Sequence, residues 1–226
     1  MLRAVIFDFD GVITDTDVLH FRAFNEVLAS YGIKFTLRDY YREWLGLNDL
    51  DLFKMLISKG QLKVDLQDID GLINKKNHLF EELAKTEGRI IDGVRDFLEL
   101  LRQNNIAMAI YSGSLLSEIE LILEEGRLRD YFEQIVSAEQ VKVGKPDPEG
   151  FLLVLERLNQ TRHDAVTADQ CVVIEDAHWG IEAAKAAQMH TVAITNSYDA
   201  DQLAMADKTI EHLDELSISD LQELCA

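Results

Sequence analysis

The chain has 226 residues, 47% of them hydrophobic, and a formal net charge of -19 at pH 7. That much apolar content supplies one sizeable core or two smaller ones, while so acidic a surface repels nucleic-acid phosphates and anionic lipid. Two cysteines are too few for a disulfide framework, and two prolines with no Gly/Ser-rich tract leave no sign of a flexible linker.

The first element, AVIF at 4–7, is a short apolar run that leads directly into Asp8, Asp10, Gly11 and Asp15. A long helical stretch follows: DVLHFRAFNEVLASYG (17–32), LRDYYREWLG (37–46), DLDLFKMLISKG (49–60) and DIDGLINKKNHLFEELAKTEG (68–88). GVRDFLELLRQN (93–104) then places Val94, Phe97, Leu98 and Leu101 on one helical stripe. IAMAIY (106–111) is a second apolar run, succeeded by helical LLSEIELILEEG (115–126) with a glycine stop. QIVSA (134–138) is a weaker strand candidate; CVVI (171–174), helical HWGIEAAKAAQM (178–189) and TVAI (191–194) complete the series.

Continuous rather than alternating hydrophobicity suits strands covered on both faces, as in a parallel sheet. Strand alternating with helix predicts an α/β fold, a doubly wound parallel sheet with a Rossmann-like core. One interval does not fit. Roughly 95 residues separate the first two strands, whereas a crossover needs about a dozen, and 93–104 already supplies its helix. The surplus predicts an inserted α-helical cap domain at 16–88, with the catalytic core formed by 1–15 and 89–226. MLRAVIFDFD contains no long apolar segment before its first acid, and no run approaches the roughly 18 apolar residues of a membrane helix. The expectation is a soluble cytoplasmic protein, monomer or weak dimer, with no nucleic-acid and no membrane partner.

Polar residues gather where the strands end. AVIF leads into Asp8 and Asp10, IAMAIY into Ser112, Gly113 and Ser114, and CVVI into Glu175 and Asp176, while Lys145 follows QIVSA within KVGKPDPEGF. Each cluster has an ordinary alternative as a turn, a helix cap or a solvated loop. Independent caps, however, need not supply carboxylates, a hydroxyl and a cation at one edge. Open α/β sheets bind ligands outside the carboxyl ends of their strands. Several carboxylates with few counter-charges repel one another unless a cation sits among them, and an all-oxygen set suits Mg2+ better than zinc. A carboxylate is also a nucleophile for phosphoryl groups, and Ser112 with the Gly113 amide at a helix start suits a phosphate.

DFDGVI, YSGS, GKPDP and VVIEDAHWGIEAA resemble, in order and context, the four motifs of the haloacid dehalogenase-like superfamily. The resemblance covers the whole chain and is to members with a helical cap after the first motif, the β-phosphoglucomutase and sugar-phosphatase branch. It implies that Asp8 is the nucleophile, Asp10 the general acid/base with its backbone carbonyl on Mg2+, and Ser112 the ligand of the transferring phosphoryl group. It also implies that Lys145 ties Asp8 to that group, that Asp176 is a direct metal ligand, and that Glu175 stands in or next to the metal's inner shell. An Asp at position 10 speaks against the dehalogenase chemistry that names the superfamily. His20 and Lys76-Asn77 match cap positions that the mutase uses for substrate.

The departures bear on reaction type. Where the mutase branch has an arginine ending a cap GxxR segment, this chain reads GLND (46–49), with Asp49 in the arginine's place. Leu115 stands where a lysine follows the second-motif serine, Ala177 where a serine is usual, and Gln188 where a glycine is usual. Without the first two cations a second phosphate would have to be held by Lys76, Arg22 or Arg42. The expected activity is a Mg2+-dependent phosphatase acting on a small phosphorylated metabolite, a sugar phosphate, through an aspartyl phosphate. The alternatives are a β-phosphoglucomutase-like mutase, a phosphonate hydrolase using Lys54, Lys75 or Lys76 as an imine, and a catalytically silent binding protein.

Overall fold

The computed structural model describes residues 1–44 and 47–226; Gly46 of GLND therefore lies outside the described residues. The chain divides into two compact units, one made of Met1–Asp15 with Ile90–Ala226 and the other of Thr16–Arg89.

The first unit is built on a six-stranded sheet in the order β3-β2-β1-β4-β5-β6. Its strands are β1 (Ala4–Phe7), β2 (Ala107–Tyr111), β3 (Gln134–Val136), β4 (Cys171–Glu175), β5 (His190–Ile194) and β6 (Lys208–Ile210). Every pairing is parallel, with Ala4 opposite both Ala107 and Cys171, and Phe7 opposite both Ile110 and Ile174. The order reverses between β1 and β4, which is the point where a doubly wound sheet opens a crevice at its carboxyl edge.

Strand side chains alternate between faces, and both faces are covered. One face sends Ala4, Ile6, Ala109, Tyr111 and Val173 into a cluster with Phe151, Val154 and Leu158 of α7 (Glu149–Gln160) and Ala183 and Ala184 of α8 (His178–Ala186). On the opposite face Phe7 meets Phe97 of α5 (Val94–Gln103) edge-on at 6.1 Å and Phe132 at 5.9 Å. The α5 stripe of Val94, Phe97, Leu98 and Leu101 is buried as its spacing predicts. Helix α6 (Leu116–Glu125) follows β2, and α9 (Ile218–Leu224) ends the chain. Sequence reading alone did not place α7, β6 or α9. Strand β6 has only three residues with one buried, too short a segment for a period to register.

The second unit is helical: α1 (Asp17–Ala29), α2 (Leu37–Glu43), α3 (Asp49–Ser58) and α4 (Ile69–Glu87). Its core is aromatic and aliphatic, with Phe24, Val27, Leu28, Phe35, Tyr40, Trp44, Leu52, Phe53, Leu56 and Leu72 packed together. Thr36 and Asp39 form a reciprocal capping box at the start of α2, and the Asn48 side chain accepts from Asp51 N–H at the start of α3. Gly60, at φ +69°, turns the chain out of α3 in a conformation that side chains with a Cβ disfavour. Among the described residues no helix is long and apolar enough to cross a membrane.

The Phe7 contacts set a stability expectation. Phe7→Ala should destabilise the sheet unit by about 3–5 kcal/mol, because a fully buried aromatic leaves a cavity between the sheet and the layer that covers this face. Denaturant unfolding of the purified protein measures this, and a loss below about 1 kcal/mol would show that the face can collapse.

Candidate active site

Asp8 continues the β1 ladder, its N–H donating to Ile174 C=O at 2.9 Å. The chain then turns tightly: Ile13 N–H and Thr14 N–H donate to Phe9 C=O at 2.9 and 3.1 Å, and Gly11 N–H to Thr14 C=O at 2.7 Å. Gly11 has φ +79°, and a Cβ there would lie 1.8 Å from Asp176 Oδ2. Glycine is thus required twice, for the backbone angle and for the approach of the first loop to the carboxylate after β4. The Asn196 side chain, from the loop after β5, donates to Gly11 C=O at 2.6 Å and braces the same turn.

The Lys145 ammonium, from the loop between β3 and α7, joins the two central strands. It donates to Asp8 Oδ1 and to Glu175 Oε1, the latter at 2.5 Å. The other Glu175 oxygen accepts the N–H groups of Asp176 and Ala177 at 2.9 and 2.8 Å, at the start of α8. Glu175 is therefore bonded through both oxygens. Gly180 makes room for it, since a Cβ there would lie 1.7 Å from Oε1.

Burial pushes the Asp8 carboxyl up to about 7, against the pull of the Lys145 ammonium and with the Glu175 charge adding to the rise. Burial alone would lower Lys145, but the charges of Asp8 and Glu175 and their hydrogen bonds outweigh it and hold the ammonium well above its ordinary value. Two carboxylates thus flank one cation.

Asp8, Glu175 and Asp176 are all buried and can each offer an oxygen such that the three lie within 4.8 Å of one another. The donors are all hard oxygens and carry more negative charge than Lys145 balances, which fits Mg2+. The Asp10 carboxylate is engaged elsewhere, accepting from Ser114 Oγ at 2.5 Å. Ser112, buried at the end of β2, accepts Ser114 N–H on its hydroxyl at 3.0 Å. The two serines and Gly113 thus form a turn that leads into α6 and ties the β2 loop to the β1 loop.

A family model described as haloacid dehalogenase-like hydrolase matches residues 5–194. The chain belongs to the haloacid dehalogenase-like hydrolases. It is 36% identical over 192 residues to a phosphorylated carbohydrates phosphatase of Thermotoga maritima, covering 84% of each chain. It is 30% identical over 226 residues to a beta-phosphoglucomutase of Bacillus subtilis, covering 98% of this chain and 95% of that protein. Among solved structures, a beta-phosphoglucomutase from Clostridium difficile superposes with a TM-score of 0.85 at 26% identity, covering 100% of this chain and 97% of that one.

The sequence-derived cap candidates lie in the helical unit of this hydrolase. His20 stacks on Phe80 with centroids 4.0 Å apart; burial, and then the nearby Lys76 charge, hold its imidazole well below the usual histidine range, so it is neutral. Lys76 is 1% exposed, lies over the rings of Phe24 and Phe80, and pairs with Asp49 at 3.1 Å. Arg22 pairs with Glu87 and Arg42 with Glu43, each at 2.6 Å. One site residue carried no sequence signal, Asn196, which lies in no motif; Tyr111 opens the YSGS motif, but its part there was not legible beyond the end of an apolar strand.

The titration of Asp8 gives a measurable slope. Its pKa is raised from 3.8 to about 7, so between those values the folded chain keeps a proton that the unfolded chain has lost. Stability of the metal-free protein should therefore fall as pH rises from about 4 to about 7. Thermal unfolding across that range checks this, with Asp8→Asn expected to flatten the slope. Mg2+ binding near pH 6 should release protons, seen by calorimetry in buffers of differing ionisation enthalpy.

Proposed function

We propose that the protein is a Mg2+-dependent phosphatase that hydrolyses a small phosphorylated metabolite, a sugar phosphate, through an aspartyl phosphate on Asp8. The observation that carries this reading is the buried Lys145 ammonium bonded to both Asp8 and Glu175, with Asp176 completing an oxygen set. The phosphatase relative in Thermotoga maritima and the family match support it.

Asp8 attacks phosphorus in line with the departing ester oxygen, and Asp10 donates the proton that the leaving alkoxide needs. Asp10, now ionised, takes a proton from water. The resulting hydroxide attacks the aspartyl phosphate, releasing inorganic phosphate and restoring the Asp8 carboxylate. Lys145 and the Ser112–Ser114 turn balance and orient the phosphoryl oxygens, because positioning and electrostatic stabilisation dominate such transfers. Mg2+, held by Asp8, Asp176 and the Asp10 carbonyl, would neutralise charge shared by the nucleophile and the phosphoryl oxygens. Glu175 orients Lys145 and the Asp176 backbone. The helical insert at 16–88 is read as the family's cap, the part that selects substrate, with His20 as its candidate substrate residue; Lys76, 1% exposed, is already paired with Asp49.

The second reading is a mutase, favoured by similarity to the Bacillus subtilis beta-phosphoglucomutase along the whole chain. A mutase must hold a bisphosphate in two orientations and so needs a second cationic anion site. Here Lys76, Arg22 and Arg42 each have a carboxylate partner, and Leu115 and Asp49 replace the two expected cations. This charge balance supports hydrolysis over isomerisation.

Asp8→Asn should lower phosphate release from a sugar phosphate by about 10³-fold or more while the protein stays folded. Undiminished release would remove Asp8 from the mechanism. Chelation should abolish activity and Mg2+ should restore it. Product analysis with a sugar 1-phosphate, with and without its bisphosphate, decides reaction type. Free phosphate is the expected product, and conversion to the 6-phosphate with little free phosphate would establish the mutase.

A further inference from the structure

Lys145 is a long, flexible side chain, and two carboxylates attract its ammonium without defining from which side it arrives. The ammonium also lies against two aromatic rings. Nζ lies 5.0 Å from the centroid of the Tyr111 ring and 5.5 Å from that of Phe151. Those rings meet edge-to-face at 4.9 Å and 85°, so each fixes the tilt of the other. Tyr111 is 1% exposed, and burial raises its hydroxyl's pKa, so the ring carries no charge.

The fit of this ring depends on Gly150 in the first turn of α7. A Cβ at Gly150 would lie 2.0–2.4 Å from three carbons of the Tyr111 ring. No ordinary contact is that short, so any side chain at 150 would displace the ring. The α7 backbone at Gly150 and the Lys145 ammonium therefore both lie against the Tyr111 ring, and the ammonium bonds Asp8 and Glu175.

We infer that Tyr111 is a positioning residue for Lys145, holding its ammonium between Asp8 and Glu175 with the face of its ring, and that Gly150 is the gap this ring requires. The inference rests on the proposed role of Lys145 in phosphoryl transfer. A desolvated cation–π contact changes an equilibrium by about 3–30-fold, enough to set how often the ammonium is in place when the phosphoryl group reacts.

The test uses the full chain with Mg2+ and p-nitrophenyl phosphate. Tyr111→Phe keeps the ring and should stay within about threefold of the parent, whereas Tyr111→Leu should lower kcat about tenfold with KM changed by less than about twofold. Gly150→Ala should lower kcat in the same way, although alanine favours the helix more than glycine does. Phenylalanines carrying one, two and three ring fluorines at position 111 should lower log kcat stepwise, because fluorine drains the ring face at almost constant size. A purely structural role would leave that series flat.

A second readout does not depend on turnover. The Lys145 ammonium resonance, identified by its loss in Lys145→Ala, should be ring-current shifted in the parent and in Tyr111→Phe, and unshifted in Tyr111→Leu. A flat fluorine series, or an unchanged Lys145 resonance in folded Tyr111→Leu, overturns the inference. A parent chain that releases no phosphate but shows the shifted resonance, lost in Tyr111→Leu, would instead overturn the proposed function and leave the positioning contact standing.

Discussion

A lysine ammonium taken out of water is costly unless its charge and its hydrogen bonds are met. Lys145 meets both demands by bonding to Asp8 and Glu175, and the surrounding structure is arranged to allow it. The sheet order sets β1 beside β4, so the residues that end these strands are neighbours. Glu175 is anchored in turn by the Asp176 and Ala177 amides at the start of α8. Three glycines mark where backbone must approach: Gly11 against Asp176, Gly180 against Glu175 and Gly150 against Tyr111.

The same arrangement leaves negative charge in excess. One ammonium bonds Asp8 and Glu175, Asp176 stands beside them, and Asp10 adds a fourth carboxylate held by Ser114. In a medium that screens poorly, such a cluster holds its protons high, as Asp8 does at about 7, until a cation arrives. The electrostatic strain within the metal-free cluster and its suitability for a divalent ion are thus one property. The acidity of the whole chain acts at a different level, disfavouring polyanionic partners while the local ammonium and serine turn suit a single phosphate.

The helical unit has its own polar problem and its own solution. Lys76 is almost wholly buried among Phe24 and Phe80, with Asp49 at 3.1 Å. Because the imidazole of His20 is neutral, the Lys76–Asp49 pair carries no net charge from that neighbour. The Lys76 cation is thus matched by Asp49, which stands where the family resemblance expects an arginine.

Much of the fold was legible because its signals are local. AVIF, IAMAIY and CVVI are continuous apolar runs, as strands buried on both faces must be, and the stripe Val94, Phe97, Leu98 and Leu101 repeats at helical spacing. The surplus interval after the first strand was countable, and the acids, serines and Lys145 stood out because polar residues directly followed apolar runs. Strand β6 was not legible, since three residues carry no period, nor were α7 and α9 picked out. The choice of partners was beyond the sequence as well. That Lys145 bonds Glu175 as well as Asp8, that Ser114 holds Asp10, that Asn196 braces Gly11 and that the Tyr111 ring fills the space beyond Gly150 are contacts between segments 30 to 185 residues apart. The sequence determined which residue types end each strand, because patterning acts over a few neighbours. Only the tertiary structure decided which of them touch, because that depends on strand order and on where a missing Cβ lets the backbone come close.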